Sequence, residues 1–445
     1  MTSQTLVPAL QTPAEPAPRL GELARVFGHI GLMSFGGPAA QIALMHRLVV
    51  DERRWLSEER FLRALNYCML LPGPEAQQLA TYIGWLAHGV RGGLICGLLF
   101  VLPGLALILT LSALYATYHQ MTMVAGLFFG LKAAVVAIVA QALWRIAGRT
   151  LKDGFRITIA LLAFIALFFL ALPFPLVVGV AALAGFLRAA AKPAPEKRMA
   201  PALPFRPLLL LRDSLLWLIV WQVPFLLLLV FGQGQVAEIF AFFSRLAVVT
   251  FGGAYAVLSY VADVAVGHYG WLKPGEMLDG LALAETTPGP LVLVLSFVGF
   301  LAGARGGDAG LSLVGGVAGG LAAAWATFAP SFLFIFAGAP LIERLAGRPW
   351  VEGALSAVTA AVVGVILNLT LWFALHVVFT RIETVEVALI PHLLLKLPLP
   401  DISSFDPAAF ALTLFAAALI FIAKQGVGRV LAMTASLGLV WRLLA

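Results

Sequence analysis

Apolar residues run along this chain in long stretches that carry almost no charge and are separated by short polar turns. A membrane-spanning helix needs about 20 such residues. On that measure the pattern predicts thirteen spans, at 22–49, 58–88, 92–118, 122–147, 155–171, 174–190, 212–232, 237–266, 275–301, 308–336, 351–378, 407–424 and 427–443. Four of them are interrupted. The first and eighth contain Gly36-Gly37 (followed by Pro38) and Gly252-Gly253, and the second and ninth contain Pro72-Gly73-Pro74 and Pro288-Gly289-Pro290. Proline removes an amide donor and clashes with the preceding turn, so each Pro-Gly-Pro is expected to end one helix and start another. The expected fold class is an all-α polytopic membrane protein with broken helices.

The breaks recur at one spacing. Phe35-Gly36-Gly37, Trp55-Leu56 and Pro72-Gly73-Pro74 reappear 216 residues later as Phe251-Gly252-Gly253, Trp271-Leu272 and Pro288-Gly289-Pro290. Further on, Pro103 matches Pro330, and Ala133-Ala134-Val135-Val136 matches Ala360-Ala361-Val362-Val363, both at an offset of 227. Spans one to six therefore correspond to eight to thirteen, and the seventh joins them. Seven helices separate equivalent positions, an odd number, so the halves are expected to be inverted in the membrane. The organisation read from this is a disordered tail (1–20), a first repeat (21–190), a basic linker with the joining helix (191–236) and a second repeat (237–445). Duplicated folds with interrupted spans are the sequence sign of secondary transporters.

Composition supports the membrane reading. The 445 residues are 61% hydrophobic and 11% charged, against about 25% charged in a soluble domain. No basic segment followed by an apolar stretch opens the chain, so no cleaved signal peptide is expected and the first span serves as the insertion signal. The net charge of +7 reports topology before ligand. Arg145, Arg149, Lys152 and Arg156 lie in one loop, and Arg188, Lys192, Lys197, Arg198, Arg206 and Arg212 in another. These loops fall on one side, cytoplasmic by the positive-inside rule, if the N-terminus is cytoplasmic. The segment 46–63 is the discrepancy, with five Arg and four acids on the side counted as external. It reads as an amphipathic surface helix or part of a re-entrant hairpin. Cys68 and Cys96 give neither a metal spacing nor a disulfide framework. No cofactor motif occurs.

The breaks and the few intramembrane polar groups carry the candidate chemistry. A helix that starts inside the membrane presents unpaired amides and about half a positive charge, which suits an anion. Gly36, Gly37, Pro38, Pro72, Gly73, Pro74, Gly252, Gly253, Pro288, Gly289 and Pro290 are the candidates for such a centre; the alternative for each is a simple kink. Lys132 lies mid-span and its repeat counterpart is Thr359. An ionisable group there is a functional candidate, against snorkelling as the plain reading. Arg245 aligns with His29, each six residues before its Phe-Gly-Gly, with Arg25 a turn earlier. They line an anion entry path or anchor the membrane interface. Glu75 follows the first Pro-Gly-Pro and Glu285 precedes the second. Each is a proton-coupling candidate, with helix capping as the alternative for Glu75. Thr286 and Thr287, with Asn66, Gln77 and Gln78, add neutral hydrogen-bonding groups.

At these residues the chain resembles the chromate ion transporter family in its long, two-domain form. Phe35-Gly-Gly-Pro38, Trp55-Leu-Ser-Glu-Glu-Arg-Phe61, Leu70-Leu-Pro-Gly-Pro74 and Gln78-Leu-Ala-Thr-Tyr-Ile-Gly84 look like the signature of the N-terminal domain. Phe251-Gly-Gly-Ala-Tyr-Ala-Val257, Gly270-Trp-Leu272 and Ala284-Glu-Thr-Thr-Pro-Gly-Pro290 look like that of the C-terminal domain. The resemblance covers roughly 22–445. It implies an inner-membrane exporter of chromate, a sulfate-like oxyanion, driven by the proton motive force or by anion exchange. Sulfate or another anion remains open as the substrate. Two other classes stand beside it. A passive anion channel shares the same sequence features. A membrane enzyme acting on lipid diphosphates would need a nucleophile and an arginine clamp, and the Pro-Gly-Pro segments carry neither. The apolar helix faces permit a homodimer without requiring one.

Overall fold

The computed structural model describes residues 18–35, 37–191, 207–250, 254–306, 310–338, 348–390 and 393–444. Helices dominate. The first repeat runs through α1 (Leu20–Met33), α2 (Gly37–His46), a π-helical turn (Arg47–Glu52), α3 (Glu58–Cys68), α4 (Glu75–Tyr118), α5 (Thr122–Thr150), α6 (Gly154–Phe168) and α7 (Phe174–Ala190). The joining helix is α8 (Pro207–Val230). The second repeat follows with α9 (Gly234–Val249), α10 (Ala254–Ala262), a π-helical turn (Asp263–His268), α11 (Pro274–Thr286), a 3-10 turn (Leu291–Leu293), α12 (Val294–Arg305), α13 (Leu313–Phe336) and α14 (Pro349–Val378). A β-hairpin, β1 (Ile382–Ile390) and β2 (Leu393–Pro400), precedes α15 (Pro407–Ala417) and α16 (Val427–Leu444).

Six helices among the described residues are long and apolar enough to cross a membrane: α4, α5, α8 over Leu210–Val230, α13, α14 and α16. Shorter apolar helices cover Gly154–Phe168, Phe174–Ala190, Leu291–Arg305 and Pro407–Ile422. The protein is a multi-pass membrane protein. Its interrupted segments are half-length. Helices α1, α2, α3, α9, α10 and α11 have between 9 and 16 residues. At 1.5 Å per residue none reaches the roughly 30 Å of a hydrocarbon core. The Pro-Gly-Pro breaks fall where the proline chemistry places them, between α3 and α4 and between α11 and the 3-10 turn before α12. The first Gly-Gly break separates α1 from α2, with Gly36 outside the described residues. In the second repeat α9 ends at Val249 and α10 begins at Ala254; Gly252 and Gly253 lie outside the described residues.

The duplication extends to backbone detail. The π-helical turns at Arg47–Glu52 and Asp263–His268 are 216 residues apart, and such turns are rare. Each is followed by a left-handed residue at the same register, Arg54 (φ 52°) and Gly270 (φ 62°). The change of offset from 216 to 227 also has a place. In α4 the helix breaks at His88 and Gly89, which leave the helical region. The corresponding point of the second repeat is the connection between α12 and α13, where the chain needs more residues to turn.

The described residues form two compact units, and neither is a sequence repeat. One is drawn from Met1–Ala113, Lys197–Gly253 and Thr287–Ala346, the other from Leu114–Glu196, Ala254–Thr286 and Gly347–Ala445. In the first unit α12 packs along α13, and α9 and α8 pack on α13. The α12–α13 contact is backbone-close: a side-chain carbon on Gly299 would sit 2.6 Å from the Gly319 carbonyl oxygen. In the second unit α14 packs on α5, α6 and α7, and α16 packs on α5. Ala134, Ala137, Ile138, Ala416, Ile420, Val430 and Leu431 form one buried cluster there.

Two features qualify the all-α expectation and the odd segment 46–63. The β-hairpin is regular and antiparallel, with Glu386 opposite Lys396 and their side chains paired at 3.1 Å. Its source is local: Ile382, Thr384, Val385 and Val387 are β-branched residues suited to strands. In segment 46–63, α3 buries Phe61, Ala64, Tyr67 and Cys68 and exposes its charges. His46 bridges Glu58 (2.6 Å) and Asp51 (3.3 Å), and Arg53 pairs with Glu22 at 2.8 Å.

Candidate functional site

The two Pro-Gly-Pro turns are held by each other's repeat. The amide of Gly73 donates to the carbonyl of Thr250 at 2.9 Å, and the amide of Gly289 donates to the carbonyl of Ser34 at 2.9 Å. Ser34 and Thr250 are repeat equivalents, the residues immediately before each Phe-Gly-Gly. The exchange is therefore reciprocal within the first unit. It continues one layer out. A side-chain carbon on Gly289 would approach the Cα of Gly104 at 3.4 Å, and one on Gly73 would meet Ser331 Oγ at 3.5 Å. Gly104 and Ser331 each follow the repeat-equivalent prolines Pro103 and Pro330. Gly73 (φ 112°) and Gly289 (φ 100°) lie in the region that only glycine adopts readily.

The first repeat supplies side-chain hydrogen bonds to the crossed turns. Gln41 Nε2 donates to the Gly289 carbonyl at 2.6 Å, and Gln78 Nε2 donates to the Pro72 carbonyl at 2.6 Å. Thr81 Oγ1 donates to the Gln77 carbonyl at 2.9 Å. The repeat equivalents of Gln41, Gln77, Gln78 and Thr81 are Val257, Leu293, Val294 and Phe297. The Oε1 atoms of Gln41, Gln77 and Gln78, with Ser296 Oγ and Ser331 Oγ, are buried without a partner among the described residues. Buried polar atoms of this kind call for a water or a polar guest. The neighbouring start of α4 supplies amides, because a helix's first turn has no intrahelical acceptor for them.

The other residues expected at the site are placed as follows. Pro72 is half-buried, and Gly73, Pro74, Pro288, Gly289 and Pro290 are buried. Gly37 (φ 79°) opens α2 with Pro38 beside it, both half-buried. Glu75 is half-buried at the first position of α4. Thr287 is buried and Thr286 exposed, its hydroxyl on the Leu283 carbonyl. Asn66 is exposed. His29 and Arg245 are both exposed, on α1 and α9, and Arg245 Nε donates to the Ala241 carbonyl. Among the described residues, neither makes a hydrogen bond or ion pair with the crossed turns. Two expected residues belong to the second unit. Glu285 is buried and accepts from the Tyr255 hydroxyl at 2.7 Å. Lys132 pairs with Asp279 at 3.2 Å, and the same Asp279 oxygen accepts from the Tyr115 hydroxyl at 2.8 Å.

Asp279, which holds Lys132, is absent from the candidates named from sequence. The rule that singles out Lys132, an ionisable side chain inside an apolar segment, applies equally to Asp279 in Leu278-Asp-Gly-Leu-Ala-Leu283. Gln41 carries the weaker form of the same signal. Tyr115 has no sequence signal at all, since a tyrosine near the end of an apolar helix is ordinary.

Comparison with known proteins decides the family. The model of the family described as "Chromate transporter" matches this chain twice, over residues 21–186 and 237–441. The chain belongs to the chromate transporter family. The two matched regions begin 216 residues apart, the spacing at which the helix breaks recur. A chromate transport protein of Pseudomonas aeruginosa is 33% identical over 385 residues, covering 85% of this chain and 86% of that one. A probable chromate transport protein of Synechococcus elongatus is 29% identical over 353 residues, covering 79% and 84%. A chromate transport protein of Cupriavidus metallidurans is 28% identical over 360 residues, covering 79% and 82%. No solved structure matches the chain.

Proposed function

We propose that this member of the chromate transporter family is a secondary transporter that exports chromate, a sulfate-like tetrahedral oxyanion, across the inner membrane. The proton motive force or anion exchange energises it. The observation that carries this reading is the reciprocal bonding of the crossed turns, Gly73 to Thr250 and Gly289 to Ser34. Broken helices that meet at a repeat interface are where such transporters bind substrate. The amides of Gly73 and Gly289 are committed to this crossing, so these two glycines shape the centre. The amides offered to the oxyanion are those of the first turn of α4, beside Gln41, Gln77 and Gln78. Lys132 supplies a positive charge within the second unit. Glu75 and Glu285 are the proton-linked candidates, and Thr287 a buried hydroxyl donor. His29 and Arg245 attract the anion at the protein surface.

Reciprocal contacts are also what a two-fold relation between repeats produces. With that axis in the membrane plane the halves are inverted and the thirteen spans follow when paired half-helices count as spans; the basic loops then put the N-terminus on the cytoplasmic side. Sulfate shares chromate's charge and shape and is expected to compete. The test is uptake of labelled chromate by everted membrane vesicles, with and without an uncoupler. Uncoupler-sensitive uptake supports energised export. No uptake by vesicles that contain the folded protein would remove chromate as the substrate.

A further inference from the structure

The second unit holds a pocket of about 380 Å³ lined in part by charged side chains. Lys132 reaches it from α5, Lys273 and Glu276 from the start of α11, Asp279 from the next turn of α11, and Arg442 from α16. Tyr115 and His119 come from the end of α4, while α14, which also packs on α11, adds no titratable group. Two lysines and one arginine therefore face two carboxylates.

Asp279 is the centre of this arrangement. It is 4% exposed, and one of its oxygens, Oδ2, takes both the Lys132 ammonium and the Tyr115 hydroxyl. The other oxygen, Oδ1, is buried and has no hydrogen-bond partner among the described residues. Glu276 is already employed: it accepts from the Lys273 amide at 2.8 Å and caps α11. The Lys132 ammonium lies against the first turn of α11. A side-chain carbon on Gly275 would come within 3.1 Å of it. That is the positive end of a helix and the wrong place for a cation unless an anion sits beside it. Asp279 is that anion when the pocket is empty.

We propose that Asp279 is a proton-controlled placeholder for the transported anion at Lys132. The carboxylate holds the ammonium in the empty site. A proton from the aqueous side adds to the unpartnered Oδ1 when an oxyanion arrives, and it leaves to water when the anion departs. No existing hydrogen bond has to break for Oδ1 to take the proton, and the neutral carboxyl releases Lys132 to the incoming anion. Charge supports one proton per anion. With Asp279 protonated, Lys132, Lys273 and Arg442 balance Glu276 and a bound dianion. With Asp279 ionised, the bound dianion would lie beside a buried carboxylate, which is costly. The second copy of the repeat lacks the pair, since the equivalents of Lys132 and Asp279 are Thr359 and Arg63. This inference rests on the proposed transport of a chromate-like oxyanion.

The experiment is binding of labelled chromate to the purified full-length protein across neutral to alkaline pH, for the wild type and for Asp279→Asn. Asparagine imitates the protonated acid, and the titration of chromate itself cancels in the ratio of the two proteins. The wild type is expected to lose affinity by up to about tenfold per pH unit relative to the variant. It should also take up about one proton per anion bound in alkaline, weakly buffered solution, where free chromate is the dianion. Lys132→Gln should weaken binding about tenfold or more. The same pH profile in Asp279→Asn and wild type would overturn the inference while leaving transport intact. If the variant does not fold, the proton count of the wild type decides alone, and chromate binding without proton uptake overturns the inference. A folded wild type that binds no chromate overturns the transport reading and this inference together.

Discussion

At the scale of single residues, the two Pro-Gly-Pro glycines do the most. Both sit at positive φ, and both face a neighbour within 3.0 Å of where a side-chain carbon would go. Gly73→Ala and Gly289→Ala should each destabilise the protein by about 1–3 kcal/mol, read as a lower unfolding temperature in detergent. Unchanged stability in both would mean that the turns relax without strain. A second residue gives a pH signature outside the membrane. Asp153 accepts from the Arg156 amide at 3.1 Å as the cap of α6, with Arg188 and Arg156 close by. These contacts, the amide first, hold its carboxyl below the usual carboxylate range. Its contribution is therefore present above the unfolded-state value and lost as pH falls through the lower folded value. The wild type should lose protection of the first turn of α6 in hydrogen exchange as pH drops below about 4. Asp153→Asn should show no such acid step, and an identical step in both would refute the assignment. The glycines are readable from sequence because proline and glycine act on their own backbone. The polar partners Gln41 and Asp279 follow only from asking which polar groups lie inside apolar segments. Tyr115 is recognisable only once folding places it on Asp279.

At the scale of elements, each broken helix is positioned by a long helix of the other repeat, and the contact is unequal. A side-chain carbon on Gly104 would lie 2.2 Å from the Pro288 carbonyl oxygen, a backbone atom that cannot step aside. Its counterpart Ser331 already carries a side chain beside Gly73. Gly104→Ser should therefore disrupt the crossing and abolish chromate transport in vesicles, while Ser331→Gly should keep most of it. The reverse order would show that the contact between α4 and the second turn is not structural. Helix breaks and repeat spacing were legible because they depend on local chemistry and on register. The π-helical turns were not, because they answer to how α2 and α10 end against their surroundings rather than to a residue code. The β-hairpin was hidden for another reason. Hydropathy on a 20-residue scale does not detect alternation over eight or nine residues, although Val385 and Val387 alternate with polar neighbours.

At the scale of the whole molecule, the sequence repeat is not the folding unit, because each compact unit takes segments from both repeats. A chain cut between Ala191 and Pro207 should leave two fragments that are each degraded when made alone. Made together in one cell, they should assemble and accumulate. Stable accumulation of either fragment alone would contradict the interleaved architecture. The two family matches fit this picture, since a unit completed by a second copy of itself can be duplicated within one chain or paired between chains. As a transporter of the proposed kind, this assembly carries a chromate-like oxyanion by alternating access. Counterflow tests it most directly: purified protein in liposomes loaded with excess unlabelled chromate, with a trace of labelled chromate outside. The account predicts a transient accumulation of label that saturates, is reduced by external sulfate and is lost in Gly289→Leu. Label entry no faster than in protein-free liposomes, from protein shown to be folded, would contradict it.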